Sequence, residues 1–498
     1  MSRLRAMRGR VAWLLNRLVI VAVIGFVTFL GVRIHDSQRG LPLEPWHKFV
    51  PHDLHAADLD HADWKSYLEA EDRLFAEVRA EVTDKLPERD RIPINRYFEG
   101  SPIFPEGFEH DWNRSYVMEP DGTPVGAVVL LHGLTDSPYS LRHIARLYTA
   151  RGYIAIGIRM PAHGTVPAAL TDVEWEDWSA ATRLAVREAR RRIGLSLPLH
   201  LVGFSNGGAL ALKYALDAID DPSLSRPDRL VLFSPMIGIT AFARFAGLAG
   251  LPAVFPAFAK AAWLGIVPEF NPFKYNSFPV NGARQSHLLT TALQEQILRL
   301  ARQDELGSLP PVLTFQSVVD FTVSTRAIVT ALYAHLPANG SELVLFDLNQ
   351  SAKFGPLLRV AGDVALGRLL PPPPRAFRTT IISNVDDTSG EMVERVVEAG
   401  GTSEQVRDLG LVYPIDVFSL SHVAIPFPPS DSLYGSAPDP AEYFGIHLGT
   451  LAPRGERGAL ILSLDSLLRM SSNPFYPYLA QRVDEGIGPA ASSPAPAG

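Results

Sequence analysis

Cysteine is missing from all 498 residues. Its absence excludes disulfides, thiolate metal sites and a lipidated N-terminal cysteine, and leaves the compartment open. Long blocks of one charge are missing as well. The net charge of −7 is spread along the chain, which argues against nucleic acid as a partner, because phosphate binding needs concentrated Lys and Arg. No His-Glu-x-x-His pair or carboxylate cluster occurs and the histidines are scattered, so no metal site is expected. The glycine-rich stretch Gly203 to Gly208 lacks a P-loop lysine, and the G-x-G-x-x-G spacing is absent. No cofactor is therefore expected. No internal repeat is seen. The tail from Gly486 is Gly, Pro, Ala and Ser, too poor in apolar residues to fold.

Apolar residues, by contrast, are concentrated near the start. Arg3, Arg5, Arg8 and Arg10 precede Val11 to Val32, which is nearly all apolar apart from Asn16 and Arg17. A helix of that length spans about 33 Å, enough for a bilayer core of about 30 Å. Arg17 lies near the end of the run that faces the arginines and can snorkel to the headgroups. The arginine cluster predicts an N-terminus inside (residues 1–10), an anchor over 11–33, and the rest in the periplasm or outside the cell. A cleaved signal peptide is the rival reading, although no A-x-A site follows. A buried helix of a soluble domain is the third.

Residues 34–111 read as a juxtamembrane linker followed by a helix, whose spacing (Trp64, Leu68, Leu74, Phe75, Val78, Val82) places it over 62–85. From 112 the pattern changes. Ser115 to Met118 runs into Pro120-Asp121-Gly122, a hairpin signal. Gly126 to Leu131 and Tyr153 to Ile158 are continuous apolar runs, the mark of strands buried on both faces. Helices are expected over Ser140 to Ala150 and Trp178 to Arg192. Leu230 to Phe233, Val312 to Phe315 and Ser341 to Phe346 are further strands, the last being the final obvious core strand. Alternating strands and helices imply a mostly parallel sheet covered on both faces. Residues 236–300 break the rhythm and read as a lid. Residues 350–412 read as an insertion, with a strand over Thr379 to Ile382 and a helix over Glu391 to Ala399. One α/β domain is expected to span 112–475, and a C-terminal tail 476–498.

The most informative five residues are Gly203-Phe204-Ser205-Asn206-Gly207. They stand between an apolar strand, Leu199 to Val202, and a helix-like run, Gly208 to Leu216. A serine at the apex of such a turn has strained backbone angles and an exposed hydroxyl, and small flanking residues let strand and helix close. Serine needs a base, a group to orient the base, and donors for the oxyanion.

With these residues the chain resembles the α/β-hydrolase superfamily, in particular the monoacylglycerol lipase, carboxylesterase and serine aminopeptidase group. Leu130-Leu131-His132-Gly133-Leu134 looks like the strand-end His-Gly motif, Pro161-Ala162-His163-Gly164 like the loop after the next strand, and Val312 to Asp320 like the strand that delivers the acid. The resemblance covers 112–235 and 308–347. It implies the order serine, acid, histidine, with Ser205 as nucleophile and Asp320 as acid. It also implies oxyanion amides from Leu134 and Asn206. His132, Gly133, Gly203, Gly207 and His163 would shape the loops.

The histidine departs from the pattern, because Asp347-Leu348-Asn349-Gln350 holds none where the family usually has it. His335, His422 and His447 remain after Asp320. Ser421-His422-Val423 reads most like the family's histidine loop; His447 is the second choice and His335 should face away. The implied protein is a membrane-anchored serine esterase with an α/β-hydrolase fold, a lid, and a long insertion before the histidine. Its substrate would be a small-molecule or lipid acyl compound. Rivals are an aminopeptidase-like peptidase, an acyltransferase, and an inactive hydrolase fold serving as an envelope scaffold.

Overall fold

The computed structural model describes residues 2–238, 250–320, 322–349, 369–386, 388–449, 451–453 and 468–487. Residues 239–249 of the expected lid, 350–368 of the expected insertion and 488–498 of the tail lie outside the described residues.

Fifteen strands follow one another in the described residues. The first five are β1 (Tyr116–Met118), β2 (Gly126–Leu131), β3 (Tyr153–Ile158), β4 (Leu199–Phe204) and β5 (Arg229–Phe233). A small pair, β6 (Trp263–Gly265) and β7 (Phe278–Pro279), comes next. Then come β8 (Val312–Ser317), β9 (Glu342–Asp347), β10 (Arg378–Asn384), β11 (Glu391–Val397) and β12 (Glu404–Val412). The last are β13 (Ser419–Leu420), β14 (Leu451–Pro453) and β15 (Leu468–Met470). Ten of them form one sheet in the order β1-β3-β2-β4-β5-β8-β9-β10-β11-β12. From β3 to β10 every pairing is parallel, while β1, β11 and β12 run antiparallel to their neighbours.

The apolar runs explain the centre of this sheet. In β2, Ala127, Val129 and Leu131 face one core, and Val128 and Leu130 face the other. A strand buried on both faces suits a parallel sheet covered by helices. One face carries α6 (Trp175–Ile193), α7 (Asn206–Asp220) and α8 (Val280–Gln303); the other carries α5 (Arg142–Ala150) and the C-terminal α9 (Tyr476–Asp484). Within α8, Leu289, Leu293, Ile297 and Leu300 are buried at helical spacing, so the C-terminal half of this helix belongs to the core and only its start lies over the site. The sheet order, the strand-to-helix alternation and the N-terminal apolar helix agree with the expected fold class.

Several local expectations are overturned. Pro120-Asp121-Gly122 does not close a hairpin, because β1 pairs with β3 and β2 lies beyond β3. The wholly apolar β2 takes a central position that a partly exposed β1 cannot share. Glu391 to Val397 is a strand, not a helix. Its Glu and Met favour helix in isolation, but pairing on both sides and the valines decide otherwise. Glu394 is buried there and accepts from Tyr478 Oη at 2.7 Å and from Arg407 at 2.9 Å. The strand expected over Ser341 to Phe346 is therefore not the final one: β10 pairs in parallel with β9, and 378–412 extends the sheet rather than standing apart.

The stretch expected as a linker is built into the domain. α1 (Ser2–Arg39) runs beyond the apolar segment, followed by α2 (Pro45–Lys48), α3 (Ala56–His61) and α4 (Trp64–Val78). Trp46, Leu59, Trp64 and Tyr67 are buried. Asp53 meets the guanidinium of Arg159 at 2.7 and 2.9 Å. The tail also begins later than expected, since α9 packs Tyr478, Leu479 and Val483 into the core.

Candidate active site

Ser205 stands between β4 and α7 with φ 54° and ψ −114°. A positive φ is costly for serine and is sustained by the surroundings. Here Ser205 N–H donates to Phe233 O at 2.9 Å, and Ser205 O accepts from Gly208 at 3.0 Å and Met236 at 2.9 Å. The flanking glycines are required by contact. A Cβ on Gly207 would lie 1.9 Å from Leu131 O, and one on Gly203 would lie 2.3 Å from Gly207 O.

The Ser205 hydroxyl lies 2.9 Å from His422 Nε2, and His422 Nδ1 lies 2.7 Å from Asp320 Oδ2. The Asp320 side chain is buried, and its Oδ1 accepts the amides of Thr322 at 2.8 Å and Val323 at 3.1 Å. Burial pushes this carboxyl up, but His422 and the two amides outweigh it and hold Asp320 below its ordinary pKa. Asp320 is not a helix cap; Ser324 caps the next helical turn. With Asp320 ionised, the shared proton belongs on Nδ1, and Nε2 is left to accept from the serine.

Sequence reasoning missed what carries His422 to this place. The imidazole follows β13, part of a small sheet with β14 and β15. Ser421 N–H donates to Met470 O at 2.9 Å, and the ring stacks on Phe204 at 5.5 Å. Behind it, Asn349 Nδ2 donates to Pro414 O at 2.9 Å and Val417 O at 2.6 Å. Asn384 Nδ2 in turn donates to Asn349 Oδ1 at 2.9 Å. Asn349 itself has φ 51°, the left-handed region that asparagine tolerates. These two asparagines stitch the ends of β9 and β10 to the returning chain. An asparagine just after a strand was the only hint in the sequence.

The remaining expected residues lie where loops meet the serine. A Cβ on Gly133 would touch Ser205 Cβ at 3.3 Å, so the His132-Gly133-Leu134 turn abuts Ser205. Asn206 opens α7, where free amides point out of the helix, and its side chain accepts from Ser286 of α8 at 3.2 Å. Met160 N–H donates to His132 Nε2 at 3.0 Å, so Nδ1 carries the proton toward Gly133 O at 2.9 Å. Burial, with His163 next to it, pushes His132 well below its ordinary pKa. His163 bonds Pro161 O at 2.9 Å, and burial lowers it to about 4. Both are neutral structural groups in these loops. His447 bonds Gly435 O at 2.8 Å and takes no part in the row, and His335 lies in the turn Tyr333–His335.

A serine on a strained crest between strand and helix, at the end of a central strand of a mostly parallel sheet, is the arrangement of the α/β-hydrolase fold. A family model described as "Serine aminopeptidase, S33" matches residues 122–347, which include Ser205 and Asp320 but not His422. Over 92 residues the chain is 33% identical to a thermostable monoacylglycerol lipase of Bacillus sp. (strain H-257), covering 18% of this chain and 35% of that relative's length. These matches support the α/β-hydrolase group of monoacylglycerol lipases, carboxylesterases and serine aminopeptidases as what residues 122–347 resemble. The chain is also similar to solved monoglyceride lipases. That of Saccharomyces cerevisiae is 14% identical, with 46% of this chain and 81% of that chain covered and a TM-score of 0.36. That of Paleococcus ferrophilus is 18% identical, with 47% and 88% covered and a TM-score of 0.35.

Proposed function

We propose that this protein is a serine hydrolase of carboxylic esters, held at a membrane by its N-terminal helix. The observation that carries the reading is the continuous row Ser205–His422–Asp320, with contacts of 2.9 and 2.7 Å. His422 takes the serine proton as Ser205 attacks the acyl carbonyl. The amides of Leu134 and Asn206 stabilise the oxyanion. His422 returns the proton to the leaving alcohol, and water then releases the acyl group by the same steps. Leu134, which follows the Gly133 turn beside Ser205, stands with Leu170 and Phe278 around Gly282 on α8, apolar surroundings that suit a lipid-like acyl chain such as that of a monoacylglycerol.

A fluorophosphonate probe tests the reading directly. Wild type should be labelled and Ser205→Ala should not; an unlabelled wild type points to an inactive scaffold. The serine aminopeptidase description favours one second reading, a peptidase with the same chemistry. Aminoacyl anilides run beside p-nitrophenyl esters separate the two, since a peptidase turns over the anilides.

The asparagine stitch supplies a further expectation. Asn349→Ala removes both donors to the His422 segment and should lower kcat by as much as about 100-fold with KM little changed, the cost of a base displaced by about 1 Å. Asn349→Gly permits φ 51° without strain yet also lacks the donors. Recovery of kcat in the glycine variant would show that only backbone strain was at stake.

The anchor reading rests on Trp13–His35, a run of 23 residues with mean hydropathy 2.2 and none of its apolar window buried. A signal sequence has the same signature. The N-terminal arginines favour an inside N-terminus and a catalytic domain on the far side of the membrane.

A further inference from the structure

α1 does not leave the domain freely. Arg33 donates to the carbonyls of Ala261 and Trp263. Gln38 donates to Ala257 O at 3.1 Å, and Lys260 donates to Gly40 O at 2.9 Å. The end of the apolar run is thereby fixed against residues 257–263. Beside this junction, large apolar side chains from four separate stretches of chain are exposed: Leu41 by 49%, Ile92 by 43%, Ile94 by 52%, Phe255 by 64%, Leu264 by 36% and Val267 by 39%. Leu41, Ile92, Ile94 and Val267 rim one recess of 160 Å³. Single exposed apolar residues are ordinary, but a cluster around one recess is not.

Depth follows from chain length. Leu41 is six residues past His35, the last residue of the apolar run, and the chain between them is helical to Arg39. At 1.5 Å per residue the patch starts within about 10 Å of the end of the span. The headgroup layer on each side of the hydrocarbon is about 5–7 Å thick. Surface elements with an apolar face settle about 5–10 Å into that boundary.

We propose that the surface formed by Leu41, Ile92, Ile94, Phe255, Leu264 and Val267 docks on the lipid bilayer, as a second membrane contact beside α1. This rests on the anchor reading above, which supplies the proximity. The occupant is the bilayer itself, because the bonds from α1 hold the patch at headgroup depth. β6 pairs with β7, so the membrane-facing Leu264 shares one small ribbon with Phe278, which stands beside Gly282 together with Leu134.

The absence of cysteine makes the test clean. Val21→Cys, Ile94→Cys, Val267→Cys and Leu195→Cys are made singly in the full chain and labelled with an environment-sensitive nitrobenzoxadiazole. Each protein is reconstituted into dioleoylphosphatidylcholine vesicles with or without a doxyl-bearing phosphatidylcholine. Hydrolysis of a soluble short-chain ester at the unlabelled protein's rate shows that each labelled protein is folded. Labels at Ile94 and Val267 should lose roughly half of their emission or more to the doxyl lipid, as groups at the acyl boundary do. The label at Leu195, which is 84% exposed, should not be quenched. If Val21 is quenched while Ile94 and Val267 behave like Leu195, the helix inserts and the docking surface is overturned. If none of the four is quenched, the anchor and the surface fall together. Quenching at Ile94 and Val267 without Val21 would establish the surface and discard the anchor.

Discussion

Asp320→Asn is expected to cut kcat for a p-nitrophenyl ester about 10⁴-fold while leaving KM and the melting temperature nearly unchanged. The reason lies in which oxygen does what. Oδ1 accepts the amides of Thr322 and Val323, so the asparagine carbonyl will keep that place. Its NH₂ then faces His422 Nδ1, where Oδ2 stood at 2.7 Å. Facing a donor, Nδ1 gives up its proton and becomes an acceptor, and the proton moves to Nε2. The ring then presents N–H to Ser205 and cannot take the serine proton. Geometry survives and chemistry does not. A variant that retains kcat within a few fold would remove Asp320 from the proposed mechanism. Fluorophosphonate labelling should slow in parallel, because it depends on the same proton transfer.

Arg159→Met should destabilise the protein by about 3–5 kcal/mol, the usual cost of stranding buried charge. Arg159 is 1% exposed and serves two carboxylates, Asp53 and Glu71. They respond differently to the same cation. Burial raises Asp53, but the two-point contact with Arg159 and the amides of Ala162 and Leu54 outweigh it, and its pKa falls. Burial also raises Glu71, and there it outweighs Arg159, so the pKa ends above the ordinary value.

The sign of the pH dependence follows. With a folded pKa below its unfolded value of about 3.9, Asp53 stabilises wild type above that pH and loses the contribution in acid. In the methionine variant both carboxylates are buried without their cation, and protonation relieves them. The stability gap between wild type and Arg159→Met should therefore narrow as pH falls from 7 towards 4. Urea unfolding at the two pH values measures it. A gap that widens in acid, or a loss below about 1 kcal/mol at pH 7, would mean that Asp53 and Glu71 are solvated well enough without Arg159.

Arg159 also shows where reading a sequence stops. The residues around it form a recognisable loop, Arg159 to Gly164, yet its partner Asp53 lies 106 positions upstream in what reads as a linker. Polar residues with scattered prolines signal a loop, and nothing local says that the loop is stapled to a buried guanidinium. Glu391 to Val397 failed for a related reason. Its composition favours a helix, and only β10 and β12 on either side make it a strand. The β1 turn was misread because the choice between β2 and β3 as partner is made at the edge of the sheet.

Elsewhere the chain was legible. The turn around Ser205 is marked by neighbours a few residues away, since a side chain on Gly203 would strike Gly207 O within the turn, although Gly207 is itself closed off by Leu131 O of β2. The apolar runs of β2 and β3, and of β4 and β5 apart from His200 and Arg229, announce burial on both faces. The sequence alone therefore determined the strand, turn and helix around Ser205, the parallel core and the apolar N-terminal helix, because the pattern that marks each lies in residues close together along the chain. Tertiary structure alone decided which histidine meets Ser205. His422 is 217 positions away, and its approach depends on three added strands and the Asn349–Asn384 stitch. Contacts at such separations form only when distant segments bury surface together, and no local pattern records that shared burial.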